Sequence, residues 1–317
     1  MTNVILFSFA IIIVIVYNNW QFEGVIMIER CIGDKTKPII IRTDELIKFD
    51  VNKSKEYELI ASNISEETGV PKKLIYTAPY FFFIDHWYKI NGDWYFYKSD
   101  GDDFHFINEL LGEIISEYFN LSTVHYNIAK LCVKGQKEEY GLLSKNFCEK
   151  NCLYKTAWDY GFEPKRDLSI LEEIRTICNS ENEYLLLLRD LKKFFIRDFY
   201  VSQLDRTGNN FIFKETTNSI RLAPLYDYEN SFESCSPERY RNQIGEINLL
   251  NDETLYILKK DPLFQELLQL IIQINMKSLV QMTEDRHKII IPDNLKEYYI
   301  KHDDGIKSLI KQKHLIR

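Results

Sequence analysis

Leu204–Phe213 reads LDRTGNNFIF, and Asp227 follows in the stretch APLYDYENSF, Ala223–Phe232. Upstream, Tyr184–Val201 (YLLLLRDLKKFFIRDFYV) places Leu188, Leu191, Phe195 and Phe199 on one face, which predicts a helix long enough to run through a core. Downstream, Phe211–Phe213 is β-prone. A long apolar helix therefore delivers a carboxylate, Asp205, and an amide, Asn210, into a polar loop, and a second carboxylate, Asp227, waits beyond a short β-prone run. All three are hard oxygen donors of the kind that suits magnesium.

Phosphoryl transfer needs a carboxylate to accept the hydroxyl proton and two oxygen ligands to hold Mg²⁺ on the ATP phosphates. In kinases these come from D-x-x-x-x-N and from an aspartate after the next hairpin. Asp205 and Asn210 have that offset, and Asp227 has that order. The chemistry also needs a lysine late in a strand and a glutamate on the following helix to fix it. Asn91-Gly92 predicts a hairpin between the aromatic runs 81–90 and Asp93–Lys98 (DWYFYK), which leaves Lys98 at the strand end. Ile107, Leu110, Leu111, Ile114, Ile115 and Tyr118 recur at helical spacing, with Asp103 as the expected N-cap. Glu109 on that helix is the expected partner of Lys98, and Glu113, one turn on, is the alternative. Taken singly each residue has a plainer reading: Asp205 as a turn former with Asn209-Asn210, Asp227 as a loop acid, Lys98 as a solvated strand end. Their agreement in order favours the kinase reading.

The segments YFYKSD, INELLGEIISEYF, LDRTGNNFIF and RLAPLYDYENSF resemble the characteristic blocks of HipA-like kinases, a bacterial group related in fold to the phosphatidylinositol kinases. The match covers Lys98, Asn108-Glu109, Asp205, Asn210, Pro224 and Tyr226-Asp227. The resemblance implies an α+β, bilobal protein-kinase-like fold, with an N-terminal sheet carrying one helix and a mainly helical C-terminal lobe. It further implies ATP and Mg²⁺ as cofactors, a serine or threonine of a protein as acceptor, and a small antitoxin-like partner as in toxin–antitoxin pairs. Asp205 would be the base, Asn210 and Asp227 the metal ligands, and Lys98 with Glu109 the phosphate-holding pair. The sequence departs from the pattern in lacking a glycine-rich phosphate loop. Gly69-Val70-Pro71-Lys72-Lys73 stands in about the right place, so Gly69 and Lys72 are the candidates for that role. Thr207 and Gly208 replace basic or imidazole side chains, and Tyr228-Glu229 stands where many protein kinases have Phe-Gly.

Working outward, Pro38–Phe49 predicts a short strand and then a polar turn, 56–68 a helix ending near Gly69, and Val124–Val133 and Tyr140–Ser144 two more strands. From Leu168 the pattern turns helical, and Asp261-Pro262 predicts the start of a helix with Leu263, Leu267, Leu270, Ile271 and Ile274 on one face. The division expected is 1–26 as an apolar N-terminal segment, 27–144 as the N-lobe and 145–317 as the helical C-lobe. Val4–Tyr17 is apolar but shorter than the ~20 residues of a spanning helix. It reads as an anchor, a buried element or a stretch upstream of a start at Met27.

The 317 residues, 45% apolar and with a net charge of −7, suit a globular enzyme and disfavour a nucleic-acid surface. Six cysteines without framework spacing fit a reducing compartment, so a cytoplasmic location is expected, or a membrane-anchored one if 4–17 acts as an anchor. Six histidines form no H-E-x-x-H, which removes support for a zinc hydrolase. Two alternatives stay open: a phosphoinositide-type lipid kinase and a non-catalytic, kinase-shaped binding protein.

Overall fold

The computed structural model describes residues 31–43, 54–77, 81–82, 86–99, 102–162, 168, 170–203, 211–232 and 252–316. Asp205 and Asn210 lie outside the described residues, as do 1–30. Among the described residues no helix is long and apolar enough to cross a membrane.

The architecture is α+β, with a sheet in the N-terminal half and a mainly helical C-terminal half. Strand β1 (Ile39–Thr43) is followed by helix α1 (Ser54–Thr68), a single helical turn at Lys72–Ile75 and the two-residue strands β2 (Tyr76–Thr77) and β3 (Phe81–Phe82). Then come β4 (Trp87–Ile90), β5 (Asp93–Lys98), α2 (Asp103–Tyr118), β6 (Tyr126–Val133) and β7 (Glu139–Lys145). The main sheet has the order β1-β6-β7-β5-β4, antiparallel throughout except for the parallel pair β1–β6. Asn91 and Gly92 both hold positive φ, 52° and 90°, which matches the right-handed twist of the β4–β5 hairpin. That register sets Lys98 opposite Leu142 of β7, at the end of β5.

Helix α2 starts one residue earlier than its pattern suggests. Asp102, in extended backbone, is the N-cap and accepts from the His105 N–H, while Asp103 is already helical and buried. Only a residue still outside the helix can turn its side chain back to the free N–H groups, so the cap falls to Asp102. Asp103 instead sits beside Cys31, where burial first and the neighbouring carboxylate second push the thiol far above its ordinary pKa.

After β7 the chain forms β8 (Leu153–Thr156), then α3 (Glu181–Val201), then β9 (Ile212–Glu215) and β10 (Ile220–Leu222). These strands make a second, antiparallel sheet of order β10-β9-β8, of which the sequence announces only β9, through the β-prone run Phe211–Phe213. The C-terminal helices are α4 (Asp252–Lys260), α5 (Pro262–Gln273), α6 (Met276–His287) and α7 (Asp293–Gln312). Asp261 caps α5 with Pro262 in its first turn, as the Asp-Pro pair predicts.

Helix α2 is the structural pivot. Its residues 106–116 are all buried. Phe106, Leu110, Leu111 and Ile114 belong to the same core as Phe194, Phe195 and Phe199 of α3 and Leu267, Leu268 and Ile271 of α5. At ~1.5–3 kcal/mol per fully buried large apolar side chain, this shared core ties the sheet's helix firmly to the C-terminal half. Gly112 marks the tightest approach, since a Cβ there would stand 2.5 Å from the Tyr228 ring.

Candidate active site

The site is assembled from the end of β5, the buried face of α2 and the segment after β10. Lys98 Nζ lies 2.5 Å from Glu109 Oε1, 2.6 Å from Asp227 Oδ1 and 2.8 Å from Glu229 Oε2. The structure thus brings together three residues singled out from the sequence and adds Glu229. Glu109 is fully buried, its Oε1 also accepts from the Glu229 N–H at 3.1 Å, and its Oε2 is buried with no hydrogen-bond partner. Nearby Tyr126 is buried, and burial first and the Glu109 charge second push its phenol well above the usual pKa.

Glu113 does not share this site. Its Oε2 accepts from the Tyr126 N–H at 3.0 Å, and its Oε1 faces His125 at 3.0 Å and Arg286 at 3.1 Å. One helical turn swings a side chain by only ~40°, yet the first residue of β6 claims Glu113 through its backbone N–H.

Asp227 holds φ +62°, a left-handed conformation that is uncommon for a residue with a Cβ. Several contacts hold it there. Gln203 Nε2 donates to the Asp227 carbonyl at 3.2 Å, and the Ser231 hydroxyl donates to Gln203 Oε1. Asn108, next to Glu109, donates to the carbonyls of Glu229 and Ser231, both at 2.7 Å, and accepts from the Tyr299 hydroxyl at 2.9 Å. Tyr228 packs over Gly112 and under the Arg197 guanidinium at 4.2 Å, and its hydroxyl meets Thr123 Oγ1 at 2.6 Å. Strain of this kind survives only where the surroundings over-determine it, and it marks functional sites more often than plain loops. Gln203 follows α3 directly, two residues before Asp205 in the sequence, and ties the acidic segment to the end of that helix.

Three carboxylates around one ammonium leave an excess of negative charge. Oxygens of Glu109, Asp227 and Glu229 lie within 4.8 Å of one another, one of the Glu109 oxygens is unpartnered, and all are hard donors. This set fits Mg²⁺.

Gly69 and Lys72 lie at the end of α1 and on the single helical turn that follows it. Gly69 has φ +75° and donates its N–H to the Ser65 carbonyl, closing the end of α1. Lys72 is exposed on the short turn that follows. Gly69 thus takes the left-handed conformation that a helix C-terminal cap favours. Sequence reasoning also passed over Gln203 and gave Glu229 and Asn108 no role. The acid two residues after Asp227 was the signal for Glu229; for Gln203 no local signal exists.

No protein-family model matches the chain, and no curated protein matches it. Among solved structures, the chain is similar to the Helicobacter pylori proinflammatory kinase CtkA at 14% identity, covering 72% of this chain and 88% of that one, with a TM-score of 0.49. It is also similar to a chain of the Shewanella oneidensis MR-1 toxin–antitoxin complex of HipA, HipB and operator DNA, at 12% identity, 80% and 70% coverage and a TM-score of 0.49. Overlaps of this size transfer neither chemistry nor partners, and the functional reading rests on the residues of this chain.

Proposed function

We propose that the chain is an ATP- and Mg²⁺-dependent kinase of HipA-like type that phosphorylates a serine or threonine of a protein. One observation carries this reading: Lys98 at the end of β5 is held jointly by Glu109 of α2 and by Asp227, 129 residues away in the chain. Structural ion pairs rarely need an ammonium shared by three acids, whereas a nucleotide site does need a mobile cation that phosphates can claim. Lys98 then holds the phosphates, with Glu109 fixing it from behind. Asp227 and Asn210 are the proposed Mg²⁺ ligands, with Glu229 as a further carboxylate at the same place. Bound there, the metal would neutralise charge on the phosphate oxygens. Asp205, two residues after the Gln203 that bonds Asp227, is the proposed base.

The first test is metal-dependent nucleotide binding by the full chain. Wild type should bind ATP much more tightly with Mg²⁺ than without it, and Asp227→Ala should erase that difference. Equal metal dependence in both proteins would remove Asp227 from the site. A small antitoxin-like partner belongs to the same proposal, on the strength of the sequence blocks alone; co-expression with the product of a neighbouring gene and co-purification would test it.

A second reading keeps a specific observation behind it. The segment at Gly69 has a single glycine, whose amide donates to the Ser65 carbonyl, so a kinase-shaped binding protein without transfer activity is the alternative. It predicts nucleotide binding with no labelled product.

A further inference from the structure

We propose that Arg197 is a positioning residue for Asp227, acting through the Tyr228 ring; its effect on metal binding rests on the reading of Asp227 as a Mg²⁺ ligand. Arg197 lies on α3 and is fully buried, and its neighbours along the helix, Phe194, Phe195, Ile196 and Phe199, are buried and apolar. A charged group in such surroundings is costly to desolvate, and well-packed apolar residues of similar volume often serve a core as well or better. Stability alone therefore does not account for an arginine at this position.

The contacts of the guanidinium do account for it. Its central carbon stands 4.2 Å from the centroid of the Tyr228 ring, Nη2 donates to the Gly112 carbonyl of α2 at 3.3 Å, and Nη1 donates to Asp198 Oδ1 at 2.8 Å. The same ring meets Gly112 so closely that a Cβ there would fall 2.5 Å from it, and the Tyr228 hydroxyl lies 2.6 Å from Thr123 Oγ1 and 3.2 Å from Ser116 Oγ. Asp227 and Tyr228 are consecutive, so a ring fixed on its face and at its hydroxyl leaves the Asp227 backbone little freedom to relax from its φ of +62°.

One side chain thus joins the elements that carry the site. Glu109 is on α2, to which Arg197 donates; Asp227 precedes the ring that Arg197 covers; and Asp205 follows α3, on which Arg197 stands. A planar fork of donors with an aromatic-stacking face can make these contacts together, whereas a compact ammonium cannot. Arg197 Nε is buried without a hydrogen-bond partner among the described residues, so the guanidinium keeps this orientation although one of its own donors goes unmet.

The test uses the full chain and begins with hydrogen exchange of residues 226–232 in the absence of metal and nucleotide, where the Glu229 N–H is bonded to Glu109. Arg197→Lys keeps a cation beside Asp198 but cannot cover the ring and reach Gly112 together, so protection of 226–232 should be lost while that of α5 is kept. The second readout is ATP binding with and without Mg²⁺. The tightening that Mg²⁺ gives should shrink by about 10-fold or more in Arg197→Lys and in Tyr228→Leu, the scale on which groups behind a metal ligand act. The two substitutions together should cost no more than either alone, because both remove one contact. Leu268→Ala weakens the same core from α5 and should leave both readouts as in wild type, which separates positioning from general loss of stability. Wild-type protection and Mg²⁺ dependence in Arg197→Lys, or equal losses in Leu268→Ala, would overturn the proposal. Should Arg197→Lys unfold, Tyr228→Leu reads the same contact, and full protection of 226–232 there would overturn it equally. A wild-type chain that binds ATP no better with Mg²⁺ would remove the reading of Asp227, while the exchange readout would still decide whether Arg197 fixes the segment.

Discussion

Two acidic clusters hang from the same helix, one turn apart, and meet different cations. Glu109 meets Lys98 together with Asp227 and Glu229, whereas Glu113 and Glu117 meet Arg286 with His125 and His287 nearby. The cation makes the difference. An ammonium is a compact charge with rotatable donors on a flexible stem, so it can pass from carboxylate to phosphate without rebuilding the site. A guanidinium locked through both oxygens of Glu117 is a fixed joint. The first cluster is built to exchange partners, the second to hold two elements together.

Replacing the two cations should produce the largest contrast. Lys98→Met should reduce phosphoryl transfer by about 10²–10³-fold, the scale of losing one well-placed electrostatic contact to the reacting group. Arg286→Met should lower the melting temperature with transfer close to wild type, as measured by single-turnover transfer beside a thermal melt. Equal losses of transfer in both would dissolve the distinction between the clusters.

The next contrast separates the two glutamates one turn apart. Glu109→Gln should impair transfer and leave the melt near wild type, because Gln fills the same buried volume but no longer holds the ammonium. Glu113→Gln should do the reverse, since Glu113 supports the Tyr126 N–H and Arg286. The opposite result would move the Lys98 partner one turn along α2.

Gly112→Ala probes the packing that both clusters share. The added methyl would meet Tyr228 at 2.5 Å, so a loss of about 1–3 kcal/mol in chemical denaturation is expected, together with weaker Mg²⁺-dependent ATP binding as the neighbouring Asp227 shifts. An unchanged midpoint would show that Tyr228 yields freely.

The smallest effect is in acid. Hydrogen bonding to Arg286 first, opposed by partial burial, holds the Glu117 pKa below its ordinary 4.5. The unfolded chain therefore takes up that proton at higher pH than the folded one. The resulting stabilisation is complete above about pH 4.5 and is lost as pH falls through the lower folded value. For a partly exposed pair it amounts to about 0.5–1 kcal/mol. Glu117→Gln should flatten the acid limb of a stability-versus-pH curve by that amount, and an unaltered limb would count against the Arg286 pair.

Much of this was legible in the sequence wherever the signal is local. Asn91-Gly92 dictates the hairpin, Asp261-Pro262 the start of α5, and the spacing of Ile107, Leu110 and Ile114 the buried face of α2. Lys98, Glu109 and Asp227 could be chosen by their order along the chain, and the fold brings them together. Illegible were the features decided by distant neighbours. Residues Glu109 and Glu113 face nearly the same way on the helix, and their partners, Lys98 for one and the Tyr126 N–H for the other, come from distant parts of the chain. The parallel pairing of β1 with β6 leaves no mark in either strand. Gln203 is an ordinary residue until Asp227 arrives against it, and the Gly69 role depends on where α1 stops.

The central claim is chemical, and Asp205 tests it most directly. Asparagine keeps the size of aspartate and one acceptor oxygen but cannot take a proton, so Asp205→Asn separates catalysis from structure. In single-turnover transfer from γ-labelled ATP with Mg²⁺ and a cell lysate, measured beside a melting curve, Asp205→Asn should retain wild-type ATP affinity and thermal stability while transfer falls by orders of magnitude. Labelled product at the wild-type rate from Asp205→Asn would contradict the kinase reading.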